Sequence, residues 1–499
     1  MTEGPPPVPR SHVHPAAPFP PPGPHAAPGS YGPPGTYGPP APPSPRGGRS
    51  RRGLWIGLGA ALLVLVLCAG AAFGARGHLA DWVGTTTGAD GEHDETTEID
   101  SLLAGHTRAL KERDLAAFVA PFDAADADLV ARQTSLFHNL VKLPLAESRY
   151  ERLTRSAARP AGAGTTFDLT VSFVHQLDGY DLAPVAELYT WTVVRTGEDA
   201  PLKVTAVGGL AQDRARGGVA YYPAPWDKWR SVHVERTPHT LLIVDGSLRA
   251  QAQRYAPLAE QAAVDDLAAW RAGGVTAEIP KGFVISMVKG KKELGSLYRS
   301  TTQTPAESGL SIAVPPHGSI DGADGAGPGV GGSRVVIDVT DRYYFTEGGR
   351  DRQLKLFRHE LAHSLVNSLT ERGPDAAAGD EQEKWVVEGF AEYLGYGRKP
   401  WPTSERTASS RAILRSLDGD PALPTNATWN SPGRAGHHYW LGHSAIGYIA
   451  ERYGERKLFQ FVAAHYRGAR VGAATREVLG VSYADFADAW GGYVTARVG

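Results

Sequence analysis

The segment LKLFRHELAHSLVNSL carries His359, Glu360 and His363 in the spacing H-E-x-x-H. On a helix, four residues advance the chain by about 400°, so the two imidazoles share one face a turn apart. Such a pair can ligate one Zn²⁺ at roughly 2.0–2.1 Å. Glu360 is offset by about 100° and can take a proton, as a general base, from water beside the metal. Leu356, Phe357, Leu361, Ala362 and Leu365 would bury the rest of the helix. The same spacing also arises on helices whose histidines only cap or hydrogen-bond, so further ligands must be sought.

A catalytic zinc needs a third protein ligand and one open position. KWVVEGFAEYLG at 384–395 offers Glu388, opening a second helix whose Gly389 and Ala391 would let it approach the first. Glu392 falls one turn later on the same face, where it could accept the second imidazole proton of a ligand histidine and fix its tautomer. A solvated acidic helix face is the plain alternative. Flanking Trp385, Val386, Val387, Phe390 and Leu394 argue against it, because so apolar a helix is buried and a buried acid needs a partner.

H-E-x-x-H followed by W-x-x-E-G-x-A-E-Y resembles the gluzincin clan of zinc metallopeptidases, which includes thermolysin-like and aminopeptidase N-like enzymes. The resemblance implies His359, His363 and Glu388 as zinc ligands, Glu360 as catalytic base and Glu392 as the residue that orients His359. A metzincin reading fails, because Val366 and Leu369 stand where its glycine and third histidine belong. The stretch HHYWLGHSAIGYIAERYG looks like the helical C-terminal part of gluzincins, where a downstream tyrosine or histidine donates to the oxyanion. Tyr439 is the best match, with His437, His438 and His443 as competitors. The strand before the zinc helix, GGSRVVIDV, lacks the glutamate with which aminopeptidase N-like enzymes hold a substrate amine, so exopeptidase specificity does not carry over.

These helices need a scaffold. Val232 and Val234 suggest one strand, Ser247–Trp270 a long helix, and Phe283, Ile285 and Met287 a second strand. SRVVIDVTDRYYF reads as the strand leading into the chemistry, with Val335–Val339 bordering the cleft. The Gly/Pro/Ser/Asp-rich stretch 305–333 is expected to be a mobile loop, and the chain beyond Asp351 almost wholly helical. Residues 225–499 would then be the peptidase domain, a small mixed sheet with a mostly helical C-terminal part. Upstream, Ile99, Leu102, Leu103 and Leu110 recur at helical spacing. Alternating runs follow at Phe167–Phe173, Val185–Val193 and Leu202–Val207. That pattern predicts an α+β domain over 98–212 resembling the NTF2-like cone.

Residues 54–75 run LWIGLGAALLVLVLCAGAAFGA without a charge, long enough to span a bilayer core as a helix. Arg46, Arg49, Arg51 and Arg52 precede it, so the positive-inside rule places the N-terminus in the cytoplasm and the later domains outside the cell. Residues 1–53, rich in Pro and Gly, should form a disordered cytoplasmic tail, and 76–97 an acidic linker. The one cysteine, Cys68, falls in the span and excludes an intramolecular disulfide. A net charge of −2 gives no electrostatic case for nucleic acid. The sequence thus predicts a membrane-anchored zinc hydrolase acting on a peptide or protein. The alternative is a silent, membrane-tethered binding protein that keeps the fold.

Overall fold

The computed structural model describes residues 89–211, 221–298, 304–320, 329–370, 382–417 and 421–498. The expected tail and membrane helix lie outside them. Among the described residues, no helix is long and apolar enough to cross a membrane. The fold is α+β, with two small sheets and a helical C-terminal part.

Helix α1 (Ala89–Glu112) begins inside the stretch read as a linker. Three of its acids are paired: Glu95 with Arg155, Glu98 with Arg195 and Asp100 with Arg152. Its apolar face buries Ile99, Leu103 and Leu110. Helices α2 (Leu115–Val119) and α3 (Ala127–Leu140) follow, capped by Asp114 and Asp126 through the Ala117 and Leu129 amides. An antiparallel sheet comes next: β1 (Leu145–Arg155), β2 (Arg159–Ala161), β3 (Gly164–Leu177), β4 (Val185–Arg195) and β5 (Lys203–Gly209). Its order is β1-β3-β4-β5, with β2 paired to β3. Phe167, Leu169, Val171 and Phe173 alternate inward on β3, as period-2 reading requires.

Short helix α4 (Pro225–Lys228) leads into a second sheet, and the buried Asn139 ties the two together. Its amide donates to the Trp226 and Trp229 carbonyls at 3.1 and 2.8 Å and accepts from the Val232 amide at 2.9 Å. That sheet contains β6 (Val232–Arg236), β7 (Thr240–Asp245), β8 (Phe283–Val288), β9 (Gly309–Val314) and β10 (Gly332–Asp338). Helix α5 (Arg249–Gly273) crosses over between the parallel strands β7 and β8. Short α6 (Lys291–Ser296) and α7 (His317–Ile320) flank β9. The order is β6-β7-β8-β10-β9, so β9 is an edge strand, antiparallel to β10.

Both faces of this second sheet are covered, which is why TLLIVD and FVISMV are nearly continuous apolar runs. Leu241, Ile243, Val284 and Val336 join the core of the first sheet. Leu242, Val244, Ile285, Val335 and Ile337 join a second core with the helices. Those helices are α8 (Gly349–Asn367), α9 (Lys384–Gly395), α10 (Thr407–Arg415), α11 (Ala435–Tyr453), α12 (Glu455–Tyr466), α13 (Val471–Ala474) and α14 (Tyr483–Val498). Both sheets belong to one compact unit.

The stretch 305–333 departs from the expected mobile loop. Part of 305–333 is ordered structure, because Leu310, Ile312 and Val314 pair as β9 along β10. The strand bordering the cleft is therefore β9, and β10 lies one place inside the sheet. Residues 321–328 of that stretch lie outside the described set.

Candidate metal centre

Helix α8 supplies His359, Glu360 and His363, and its apolar positions Leu356, Phe357, Leu361, Ala362 and Leu365 are buried as the spacing predicts. Helix α9 supplies Glu388 and Glu392. Its Gly389 faces α11 instead of α8, since a Cβ there would meet the Gly442 carbonyl oxygen at 2.5 Å. The close approach of α9 to α8 falls at Gly395, where a Cβ would sit 3.5 Å from His359 Cβ.

Three ligand atoms converge. His359 Nε2 and His363 Nε2 are 3.2 Å apart, and Glu388 Oε2 lies 3.3 Å from the first and 3.4 Å from the second. A tetrahedral zinc with bonds of roughly 2.0–2.1 Å spaces its ligand atoms about 3.3–3.4 Å apart. The triangle therefore has the edge length that a zinc face requires. Glu388 Oε2 is buried and receives no hydrogen bond among the described residues, as suits an oxygen directed at a cation. Two imidazoles with one carboxylate favour zinc over calcium or magnesium, which prefer all-oxygen shells.

Charge around the triangle is arranged in layers. Burial alone would raise the Glu388 carboxyl, but His363 and His359 beside it hold it far below the ordinary range. Burial opposes a charged His359, yet Glu388 and Glu392 hold its proton up to about 10, a position a metal cation would contest. His359 Nδ1 lies 3.3 Å from Glu392 Oε1, so the ring is oriented from behind. Against its burial, Glu392 is held well below the usual carboxylate range by Arg406, Lys355 and His359. Arg406 bonds Glu392 directly, and Lys355 Nζ is 3.4 Å from Glu392 Oε2. Lys355 also donates to Tyr396 Oη at 2.9 Å.

Glu360 is 5% exposed, and its carboxyl is pushed up by burial, with His359 and His363 pulling the other way. Strand β9 crosses directly over it: a Cβ on Gly309 would lie 2.4 Å from Glu360 Oε1, so any side chain there would displace the carboxyl.

His359, Glu360, His363, Glu388, Glu392 and Tyr439 all line one cavity of about 540 Å³. Tyr439 packs edge-on to Trp429 at 5.2 Å, lies 6.1 Å from the His359 ring and carries the Arg406 guanidinium 5.2 Å over its face. Its hydroxyl is held protonated by burial and then by Glu388, Glu392 and Glu360. The competing histidines are placed elsewhere. His438 bonds the Trp429 carbonyl at 2.7 Å, His437 stacks on Trp440, and His443 stacks on Tyr396. Sequence reasoning missed Tyr344, Tyr466, Arg406 and Lys355, which line the same cavity. Tyr344, Tyr466 and Arg406 arrive through tertiary contacts that no local spacing encodes, whereas Lys355 lies one turn before His359 on α8 and shares its face. Compared with models of known protein families, with curated proteins and with solved structures, the chain matches none.

Proposed function

We propose that the chain is a zinc metallopeptidase of gluzincin type, carried on the outer face of a membrane by a helix at 54–75. The observation that carries this reading is the triangle of His359, His363 and Glu388 atoms with the buried Glu360 beside it. When bound there, zinc supplies Lewis acidity, polarising a peptide carbonyl and lowering the pKa of water.

The protein's own groups do the rest. Glu392 accepts the Nδ1 proton of His359, leaving the Nε2 lone pair directed inward. The Glu360 carboxylate takes the proton of the attacking water and returns it to the departing amine. Its burial shifts it toward the pH at which it must do both. Tyr439 donates its hydroxyl proton to the oxygen that develops charge. Strand β9 offers its unpaired edge to an extended peptide.

Proteome-derived peptides incubated with the full chain in detergent, with and without a chelator, test the reading. Chelator-sensitive cleavage is the expected result. A zinc-loaded protein inert on every peptide would overturn it and favour a silent binding protein. Protease added to intact spheroplasts should reach the C-terminal part, and trimming confined to the proline-rich end would reverse the topology.

A further inference from the structure

The hairpin made by β9 and β10 is held at both ends by different parts of the molecule. At its near end Gly309 lies against Glu360, and Asn367, the last residue of α8, donates to Ser311 and Ser333 Oγ at 3.3 and 3.2 Å. At its far end a second set of contacts reaches the first half of the chain. Pro316 forms an antiparallel bridge with Val185. The Leu182 and Ala183 amides donate to the Gly331 carbonyl at 2.8 and 3.1 Å, and the His317 amide donates to Pro184 O at 2.8 Å.

The centre of this grip is an ion pair. Arg334, on β10, is 1% exposed and donates both terminal nitrogens to Asp181, at 2.5 and 2.9 Å. Asp181 is fixed in turn by the Leu177 amide at 2.9 Å. Gly332 makes room for it, since a Cβ there would lie 2.1 Å from Asp181 Oδ1. A buried ion pair contributes little net stability, because desolvation offsets the attraction, but it fixes register when both partners are locked. Arg334 pairs with Ile312 of β9, so the register set at Asp181 passes directly to the edge strand over the site.

We infer that the first half of the molecule is a built-in positioning device, which sets the height and register of the cleft's edge strand through the Asp181–Arg334 pair and the Val185–Pro316 bridge. Arg334 and Asp181 touch no reacting atom; they act through β9. The inference deepens the peptidase reading, and its activity arm rests on that reading. The first half needs no ligand of its own to matter for turnover.

The test uses the full chain with Asp181→Asn combined with Arg334→Met, which keeps an acceptor for the Leu177 amide. A second variant, Gly331→Ala, wedges the other contact from between its two partners, since its Cβ would meet Val185 Cγ1 at 2.8 Å and Pro316 Cα at 2.9 Å. Hydrogen exchange should quicken about five- to tenfold at β9 amides and stay unchanged in α8 and α9, the range expected when coupling through packed elements is cut. KM for long peptides should rise by a similar factor, while kcat on a dipeptide reporter and zinc content hold. Unchanged β9 exchange and KM in both variants overturn the inference. So does equal quickening across α8 and α9, which would mean general loosening. If the wild type cleaves nothing, the peptidase reading fails and the exchange pattern alone decides the clamp.

Discussion

Two buried groups of acids, one in each half of the molecule, show how the same residue type reaches opposite states. In the first half Glu187, 2% exposed, accepts from Tyr189 Oη at 3.0 Å and Trp226 Nε1 at 3.2 Å. Tyr189 is also 2.7 Å from Asp227 Oδ1, so one hydroxyl proton serves two carboxyls. Burial, and then Asp227 beside it, drives Glu187 well above the ordinary carboxylate range, and burial pushes Asp227 up to about 6. The nearest imidazole nitrogen, His175 Nε2, is 3.8 Å from Glu187 Oε1. In the second half Glu392 is as enclosed and Glu388 keeps 19% of its side chain exposed, but they face His359, His363, Lys355 and Arg406, and both are held down. Burial therefore does not mark a site. What sets the second group apart is that two imidazole nitrogens and a carboxylate oxygen converge on one point.

The contrast can be broken most severely at Glu360. Glu360→Gln should lower peptide turnover on the order of 10²–10⁴-fold while zinc content stays near the wild-type value, because the amide cannot take a proton. Retained turnover would show that the base lies elsewhere. Gly309→Ala comes next. Its methyl group would displace Glu360 Oε1, and a misplaced base should lower kcat by about 10- to 100-fold with zinc retained. Normal kinetics in this variant would remove β9 from the roof of the site.

The smallest effect belongs to the first half. Glu187 binds its proton more tightly folded than unfolded, so its contribution to stability is full below about pH 4.5 and declines as pH rises toward its folded pKa. Glu187→Gln should keep the neutral-state contacts, change stability near pH 4 by less than about 1 kcal/mol, and flatten this decline. Melting temperatures of wild type and variant across pH 4–8 check the sign. A wild type that gains stability over the variant as pH rises would mean the carboxyl is ionised and paired, as in the second half.

Much of the site was legible because its residues lie on two helices with short, regular spacing. His359 and His363 are one turn apart, as are Glu388 and Glu392, and the apolar residues around them announce burial. The strands at Phe167–Phe173 and Phe283–Met287 were legible for the same reason. The edge strand was not. Gly309–Val314 is brief, sits among Pro, Gly and Ser, and exists because β10 pairs with it, which no local pattern records. Strand β1 hid for another reason: ESRYERLTR is charged because its side chains meet α1 and solvent, as Arg152 and Arg155 do. Lys355 and Arg406 are far in sequence from Glu392 or on another element, so their role follows only from packing.

The account stands on a metal held by His359, His363 and Glu388, and the zinc content of the purified full chain tests it most directly. Wild type should carry about one zinc per chain, and so should Glu360→Gln and Glu187→Gln, whereas His363→Ala should lose most of it, since two ligands do not hold a catalytic zinc. A wild type without zinc after purification from zinc-supplied cells, or a His363→Ala variant that keeps a full equivalent, would contradict the account.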